Sequence, residues 1–454
     1  MHVLFPHHRE ESADRISALD RSNLRIEEHG MPMHMAALAL LAGPQWRDAA
    51  GKLSIQDIRR YVEERSRGVE RLHQVLVWPT SGHQAPAWED YPGFDITRHV
   101  LTRTLPPPGD EETLIRVCCD LTAAPLDRSR PLWELWFLDG LADGRAAVLL
   151  RLHHVVADGI AALELFSAMF DPAPDTPGAA SPTEANQEHG SPDPSPAVLA
   201  GQETSAAARV KAVAADAAMR VRQLSAFARG GRAPALSWNR PVGPRRVHRL
   251  VRGDLAGARA VAHQQGGKVN DVVLAAVAGG AYRLLESRGE LRHHLDMQVS
   301  VPASIRRVGE AGGNRVGIRI VPVPVSDQAT ANRLAIIAAR TAAQRNRPPW
   351  QPNGRFMQRW MVHIMAHQRL INMVLSNMPG PPVPLWFAGV RVQEMFQISL
   401  LQGNCAIGVG VLSYAGQLNF DIVADPDIVP DVDVFAEGIT ETLEQLGARE
   451  NAAL

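Results

Sequence analysis

Residues 146–150, Ala-Ala-Val-Leu-Leu, form an unbroken apolar run. Such a run predicts a strand buried on both faces rather than one with a wet side. Beyond a short turn, residues 160–170 change to helical spacing, with apolar positions at Ala161, Leu165 and Ala168. The same alternation of periods recurs along the chain. Helices are predicted over Leu53–Gly68, Thr113–Leu121, Ala256–Gln264, Gln358–Val374 and Phe435–Leu446, with a further one running to Leu285 from a cap at Lys268-Val-Asn-Asp271. Strands are predicted over Phe94–Leu101, Arg249–Arg252, Val299–Ser304 and the end of Gly312–Val325. Ile407–Leu412 and Leu418–Val423 read as a hairpin about Tyr414-Ala-Gly416. Met31–Leu41 suits either a strand or a helix.

Three stretches break the pattern. Between Asp171 and Ser205 the chain turns to Pro, Ala, Ser, Gly and acids with nothing periodic to bury, which predicts a mobile linker. Ala206–Arg229 follows as an amphipathic helix, with Val210, Val213, Ala217, Val221 and Leu224 on one face and arginines elsewhere. It reads equally as a helix resting on a membrane or lipid surface and as a crossover helix packed on the fold. Leu375-Ser-Asn-Met-Pro-Gly-Pro-Pro382 predicts a rigid corner, with Ser376 and Asn377 available to hydrogen-bond a ligand carbonyl. With 454 residues the chain exceeds one core, so two lobes are expected: 1–170, then a linker and crossover over 171–238, then 239–454.

Composition excludes more than it proposes. Forty-seven Lys and Arg against 48 Asp and Glu leave a net charge of −1, which gives no general attraction to nucleic acid or anionic membrane. Three cysteines, two of them Cys118-Cys119, give neither a disulfide framework nor a metal spacing and point to a reducing, cytoplasmic setting. The acids near the N-terminus do not suit a signal peptide, and the apolar stretch Val272–Tyr282 is shorter than the roughly 20 residues that span a bilayer. A soluble or peripheral protein is expected.

The candidate chemistry sits where the apolar strand ends, at His153-His154-Val-Val-Ala-Asp158-Gly159. A base at the end of a core strand has few rotamers, so its ring can be aimed. Imidazole titrates near neutrality, so His154 suits removal of a proton from an attacking alcohol, a step typically worth about 10²- to 10⁴-fold. No Ser or Cys stands in the turn to be acylated, which favours direct attack by an external hydroxyl. Asp158 either hydrogen-bonds the ring or pairs with an Arg to lock the turn, and the second is favoured. Two rival readings concern the same residues. Metal ligation is disfavoured because neighbouring strand residues point to opposite faces, and no metal is expected. A satisfied core His pair beside a turn-forming Asp-Gly is the other. Trp133 and Trp136 cannot share a strand face, so one belongs to the core. His99 and the His293-His294 pair read as solvent-facing, and Asn270 or Asp271 as a helix cap.

Taken in order, Pro32-Met-His34, Pro131-Leu132-Trp133-Glu134, the HHxxxDG turn, Asn270-Asp271, Ser304-Ile-Arg306, Gly313-Asn314 and Ser376-Asn377-Met-Pro379-Gly380-Pro381 resemble the bacterial wax ester synthase/acyl-CoA:diacylglycerol acyltransferase family over most of the chain. The resemblance implies a fold like chloramphenicol acetyltransferase: two α/β lobes with mixed sheets, joined by a crossover, and an active site in a channel between them. It implies His154 as general base and Asp158 as a residue that holds the turn. Arg306 becomes a candidate partner for Asp158, and Pro131, Leu132, Trp133, Asn270, Asp271, Ser304, Asn314, Ser376, Asn377, Pro379 and Gly380 become residues that bind substrate or support the site. It also implies acyl-CoA as co-substrate with no other cofactor, a diacylglycerol or long-chain alcohol acceptor, and contact with the inner membrane face or a lipid droplet. The segment Glu394-Met-Phe-Gln-Ile-Ser399 lacks the Pro usual in the family. Two other classes compete: a free-standing condensation-type enzyme using a carrier-protein thioester, and a non-catalytic lipid-binding protein.

Overall fold

The computed structural model describes residues 16, 18–28, 33–43, 54–78, 86–157, 159–174, 232–304, 316–325, 329–345, 367–401 and 403–449. The linker beyond 174, the helix expected over 206–229, Asp158, Arg306 and Asn314 lie outside them.

Two six-stranded mixed sheets organise these residues. The first is built on β6 (Ala146–His153), every residue of which is buried, as its apolar run requires. β1 (His34–Leu41) pairs antiparallel with one edge of β6, and β5 (Trp133–Asp139) with the other. Pairing with β6 along the whole length of β1 settles that segment as a strand. β4 (Val100–Thr104) runs parallel to β5, and β2 (Gln74–Val77) forms a separate hairpin with β3 (Ala87–Asp90). Helices α1 (Ala18–Glu28), α2 (Ile55–Ser66), α3 (Glu111–Ala123) and α4 (Gly159–Ser167) belong to this half.

The second sheet comprises β7 (Val247–Asp254), β8 (Asp296–Ser304), β9 (Val316–Pro324), β10 (Met373–Pro379), β13 (Ile407–Tyr414) and β14 (Gln417–Ala424), in the order β7-β14-β13-β10-β8-β9. Its core lies under α6 (Val269–Ser287), whose run from Val272 to Ala281 is wholly buried. α5 (Leu255–Gln264), α7 (Thr330–Arg345) and α8 (Val432–Gln445) complete this half.

The halves are interlocked by β11 (Trp386–Phe387) and β12 (Val390–Ile398). These follow β10 in the chain yet join the first sheet, where β12 pairs with β1 from Ala36↔Ile398 to Leu41↔Val392. Polar contacts seal the seam. The Tyr414 hydroxyl at the end of β13 donates to the Val392 carbonyl (3.0 Å) and accepts from Leu385 N–H (2.8 Å). Arg252 of β7 reaches Glu394 of β12 through Nε and Nη2, each at 2.9 Å.

Several expectations need correction. Phe94–Leu101 is not one strand: Asp95 accepts from Thr97 N–H (2.9 Å) and nucleates a short 3-10 turn over Ile96–Arg98 before β4 begins. His99, expected in solvent, is buried, its ring 5.1 Å from Phe94 and 4.6 Å from Trp133, with Nδ1–H donating to the Trp133 carbonyl (2.8 Å). Burial, with Arg130 and His73 adding to it, pushes its pKa down to about 4. Of the helix expected over Gln358–Val374, residues 358–366 lie outside the described residues, and Met373 and Val374 are the first residues of β10. The buried amide of Asn372 just before it accepts from Gln298 N–H (2.9 Å) and donates to the Pro234 carbonyl (2.8 Å). Asp171, the first linker residue, is anchored by backbone pairing with Trp386, a hydrogen bond from Tyr61 (2.9 Å) and an ion pair with Arg65.

Candidate active site

The adjacent histidines receive opposite surroundings from the end of β6. His153 is the last strand residue, pairs with His34 of β1, and is completely buried. His154 opens the turn and is only half-buried. Period-two alternation explains the split: if one ring enters the core, its neighbour must leave it. Four backbone bonds fix the turn. His153 N–H donates to the Leu132 carbonyl (3.1 Å), His154 N–H to Met33 (2.9 Å) and Val156 N–H to His153 (2.9 Å), while Val155 N–H donates to the His153 ring at Nδ1 (3.1 Å).

Of the residues singled out by sequence, Pro131, Leu132 and Trp133 adjoin this turn where the chain enters β5. Trp133 itself serves the core, its indole N–H donating to the Leu72 carbonyl (2.8 Å). Trp136, on the other face, is partly exposed and donates to Glu134 (3.0 Å). Gly159 begins α4 at a place where a Cβ would stand 2.9 Å from Met378 Sδ, so a larger residue there would require the flexible Met378 side chain to move. That contact joins the HHxxxDG turn to Ser376-Asn377-Met378-Pro379-Gly380. Ser376 and Asn377 are strand residues within β10 rather than loop residues. The Asn377 amide donates to Asn270 (3.3 Å), bringing together two segments 107 residues apart. Asp271 is the expected cap and more. Its buried carboxylate accepts from Lys268 N–H (2.7 Å) and from the Thr341 hydroxyl (2.7 Å), tying α6 to α7. Gly380 has the Ser413 carbonyl where a side chain would go, and Pro379 is exposed. Ser304 ends β8, opposite Val316 of β9.

Pattern reading missed the charged residues beneath the turn. Glu27 of α1 places Oε2 3.5 Å from His153 Nε2 and accepts from Arg128 at Nε (3.1 Å) and Nη2 (2.7 Å). Burial opposes its charge, but His153 and Arg128 outweigh burial and hold its carboxyl down at about 2. Arg151, two residues before His153, forms a buried ion pair with Glu134 across the β5–β6 ladder (2.9 Å). His34 is kept neutral by burial, then by the nearby Arg151 guanidinium, with a pKa lowered to about 3. Among the described residues no group of three or more His, Cys, Asp or Glu side chains is arranged to hold a metal ion. No described helix is long and apolar enough to cross a membrane.

Known proteins show the family and the fold. Residues 16–273 match the wax ester synthase/diacylglycerol acyltransferase catalytic domain, and residues 312–447 match the C-terminal domain of that family. A "probable diacylglycerol O-acyltransferase" of Mycobacterium tuberculosis is 31% identical over 465 residues, covering 96% of each chain. A second M. tuberculosis protein named for the same activity is 29% identical, covering 95% of this chain and 90% of its own. In fold, the chain resembles the wax ester synthase/diacylglycerol acyltransferase of Marinobacter aquaeolei (TM-score 0.68, 21% identity, 95% and 98% of the two chains). It also resembles the first condensation domain of the calcium-dependent antibiotic synthetase (TM-score 0.62, 16% identity, 96% of each). The two-lobe, chloramphenicol acetyltransferase-like architecture is thus shared, and the chain belongs to the wax ester synthase/diacylglycerol acyltransferase family and is an acyltransferase.

Proposed function

We propose that the chain moves a long-chain acyl group from acyl-CoA to a hydroxyl acceptor, either diacylglycerol or a long-chain alcohol, with His154 as general base and no further cofactor. The observation that carries this reading is the division of labour between the two rings: His153 is sealed in the core, while the half-buried His154 stands on a turn held by backbone bonds at either side. The neutral His154 imidazole takes the proton of the acceptor hydroxyl as its oxygen attacks the thioester carbonyl. The tetrahedral oxyanion then collapses, the carbon–sulfur bond breaks, and the proton passes from the imidazolium to the leaving thiolate, giving ester and free CoA. Asp158 and Arg306 belong to this proposal as the pair that locks the turn. The acceptor surface is hydrophobic in either case, so the protein works at a membrane or lipid-droplet surface.

The test is purified protein given palmitoyl-CoA with a panel of long-chain alcohols and diacylglycerol, followed by lipid analysis and CoA release. Ester formation from acyl-CoA alone as donor, lost in His154→Ala by at least about 10²-fold, is expected. Direct attack requires both substrates to be bound together, so initial-rate patterns intersect; parallel, ping-pong lines count against the proposal.

A further inference from the structure

Resting on that reading, we propose that Glu27 is a positioning residue for acyl transfer: through the His153 ring it fixes the turn that presents His154. The two nitrogens of the His153 ring meet different surroundings. Its Nδ1 accepts the Val155 N–H (3.1 Å), so in the neutral ring the proton sits on Nε2. That nitrogen faces Glu27 Oε2 at 3.5 Å, inside the protein, where His153 has no exposed surface. Arg128 grips the same carboxylate oxygen from the other side through Nε (3.1 Å) and Nη2 (2.7 Å), and also donates to the Leu24 carbonyl of α1 (3.0 Å). The carboxylate is therefore held in place before it holds the ring.

The consequence reaches His154 through the backbone. Val155 N–H to the His153 ring, and Val156 N–H to the His153 carbonyl (2.9 Å), are the bonds that shape the turn after β6. If the ring rotates, Val155 N–H loses its partner in the interior, an expensive state for a buried donor. Its other nitrogen forms no hydrogen bond, and what restrains it is the attraction of its N–H to the Glu27 carboxylate, whose Oε2 stands 3.5 Å away. A carboxylate that orients an imidazole without touching substrate is a familiar division of roles in histidine-based acyl transfer. Here the oriented ring is not the base itself but the residue next to it. A purely structural role for Glu27, docking α1 against Arg128, would not require its Oε2 to face His153 at all.

The experiment combines kinetics with a readout that does not depend on turnover. Glu27→Met fills the same space without an acceptor, and Glu27→Gln keeps an acceptor oxygen without the charge. The expected result is a fall in kcat of up to about a hundredfold in Glu27→Met, the scale on which a misplaced catalytic group loses rate, with KM for palmitoyl-CoA unchanged and part of the loss recovered in Glu27→Gln. The double variant Glu27→Met/His153→Ala should be no slower than His153→Ala alone, because Glu27 acts through that ring. Additive losses, or a raised KM with kcat intact, overturn the proposal. Nitrogen-15 NMR of labelled histidine should find His153 as a single Nε2–H tautomer in the unaltered chain and not in Glu27→Met. An unchanged His153 signal in Glu27→Met overturns the proposal whatever reaction the chain runs. Absence of acyl transfer in the unaltered protein, with the His153 signal still dependent on Glu27, instead defeats the proposed function.

Discussion

At the scale of single residues, charge burial beneath the HHxxxDG turn distinguishes this molecule. Glu134 and Arg151 face one another across β5 and β6 with side-chain exposures of 9% and 3%, and Glu134 also receives the Trp136 indole N–H (3.0 Å) and Arg130 (3.3 Å). Removing one member of such a pair strands the other in a medium that cannot solvate it. Glu134→Ala should therefore destabilise the fold by about 3–5 kcal/mol in urea denaturation, whereas Glu134→Leu combined with Arg151→Met should recover most of the loss. A double replacement no more stable than Glu134→Ala would show that the arginine's other bonds, including that to the Ala124 carbonyl, dominate.

At the scale of elements, α6 and α8 pack in close contact in the second half. A side chain at Gly279 would collide with Thr442 and stand 2.9 Å from the Gly438 carbonyl, and one at Gly280 would meet the Phe435 carbonyl at 2.6 Å. Glycine is used here for space rather than for an unusual backbone conformation. Because neither helix can retreat from a fully buried core, Gly279→Ala should cost about 1–3 kcal/mol by overpacking. A lowered melting temperature with kcat unaltered per folded molecule is expected. The same scale explains why β12 escaped pattern reading. Its alternation announces a strand, but nothing within Val390–Ile398 states that its partner is β1, more than 350 residues earlier in the chain.

For the molecule as a whole, three buried histidines set opposing limits on stability with pH. His34 and His99 have pKa values lowered from 6.5 to about 3 and about 4, in both cases chiefly by burial. As pH falls below 6.5 the unfolded chain takes up protons at these sites that the folded chain refuses, so the stability they contribute is present above that pH and lost towards 3. His248 is the reverse. Burial opposes its charge, but Asp421, bonded to its Nδ1 at 2.7 Å, overcomes burial and raises the pKa to about 10. Its contribution is full below 6.5 and disappears as pH climbs towards 10. Denaturation midpoints should therefore peak near neutrality and decline on both sides, and His248→Gln should flatten the alkaline limb alone. An alkaline limb unchanged by that substitution would remove His248 from the account.

By itself the sequence determined the mixture of strands and helices, the buried strand 146–150 with two adjacent histidines at its end, its turn into a helix, and the hairpin near the C-terminus. Each of these is written within a few neighbouring residues, where hydrophobic period, glycine and capping groups act locally. Only the tertiary structure decided which histidine is sealed and which is half-exposed, since alternation says that the rings diverge but not which face is the core. It alone placed Glu27 against His153, 126 residues away, and β12 beside β1. It also sent His99, polar by composition, between two aromatic rings. Such pairings depend on how distant segments meet, and their energies come from desolvation and shape at contacts that no local pattern records.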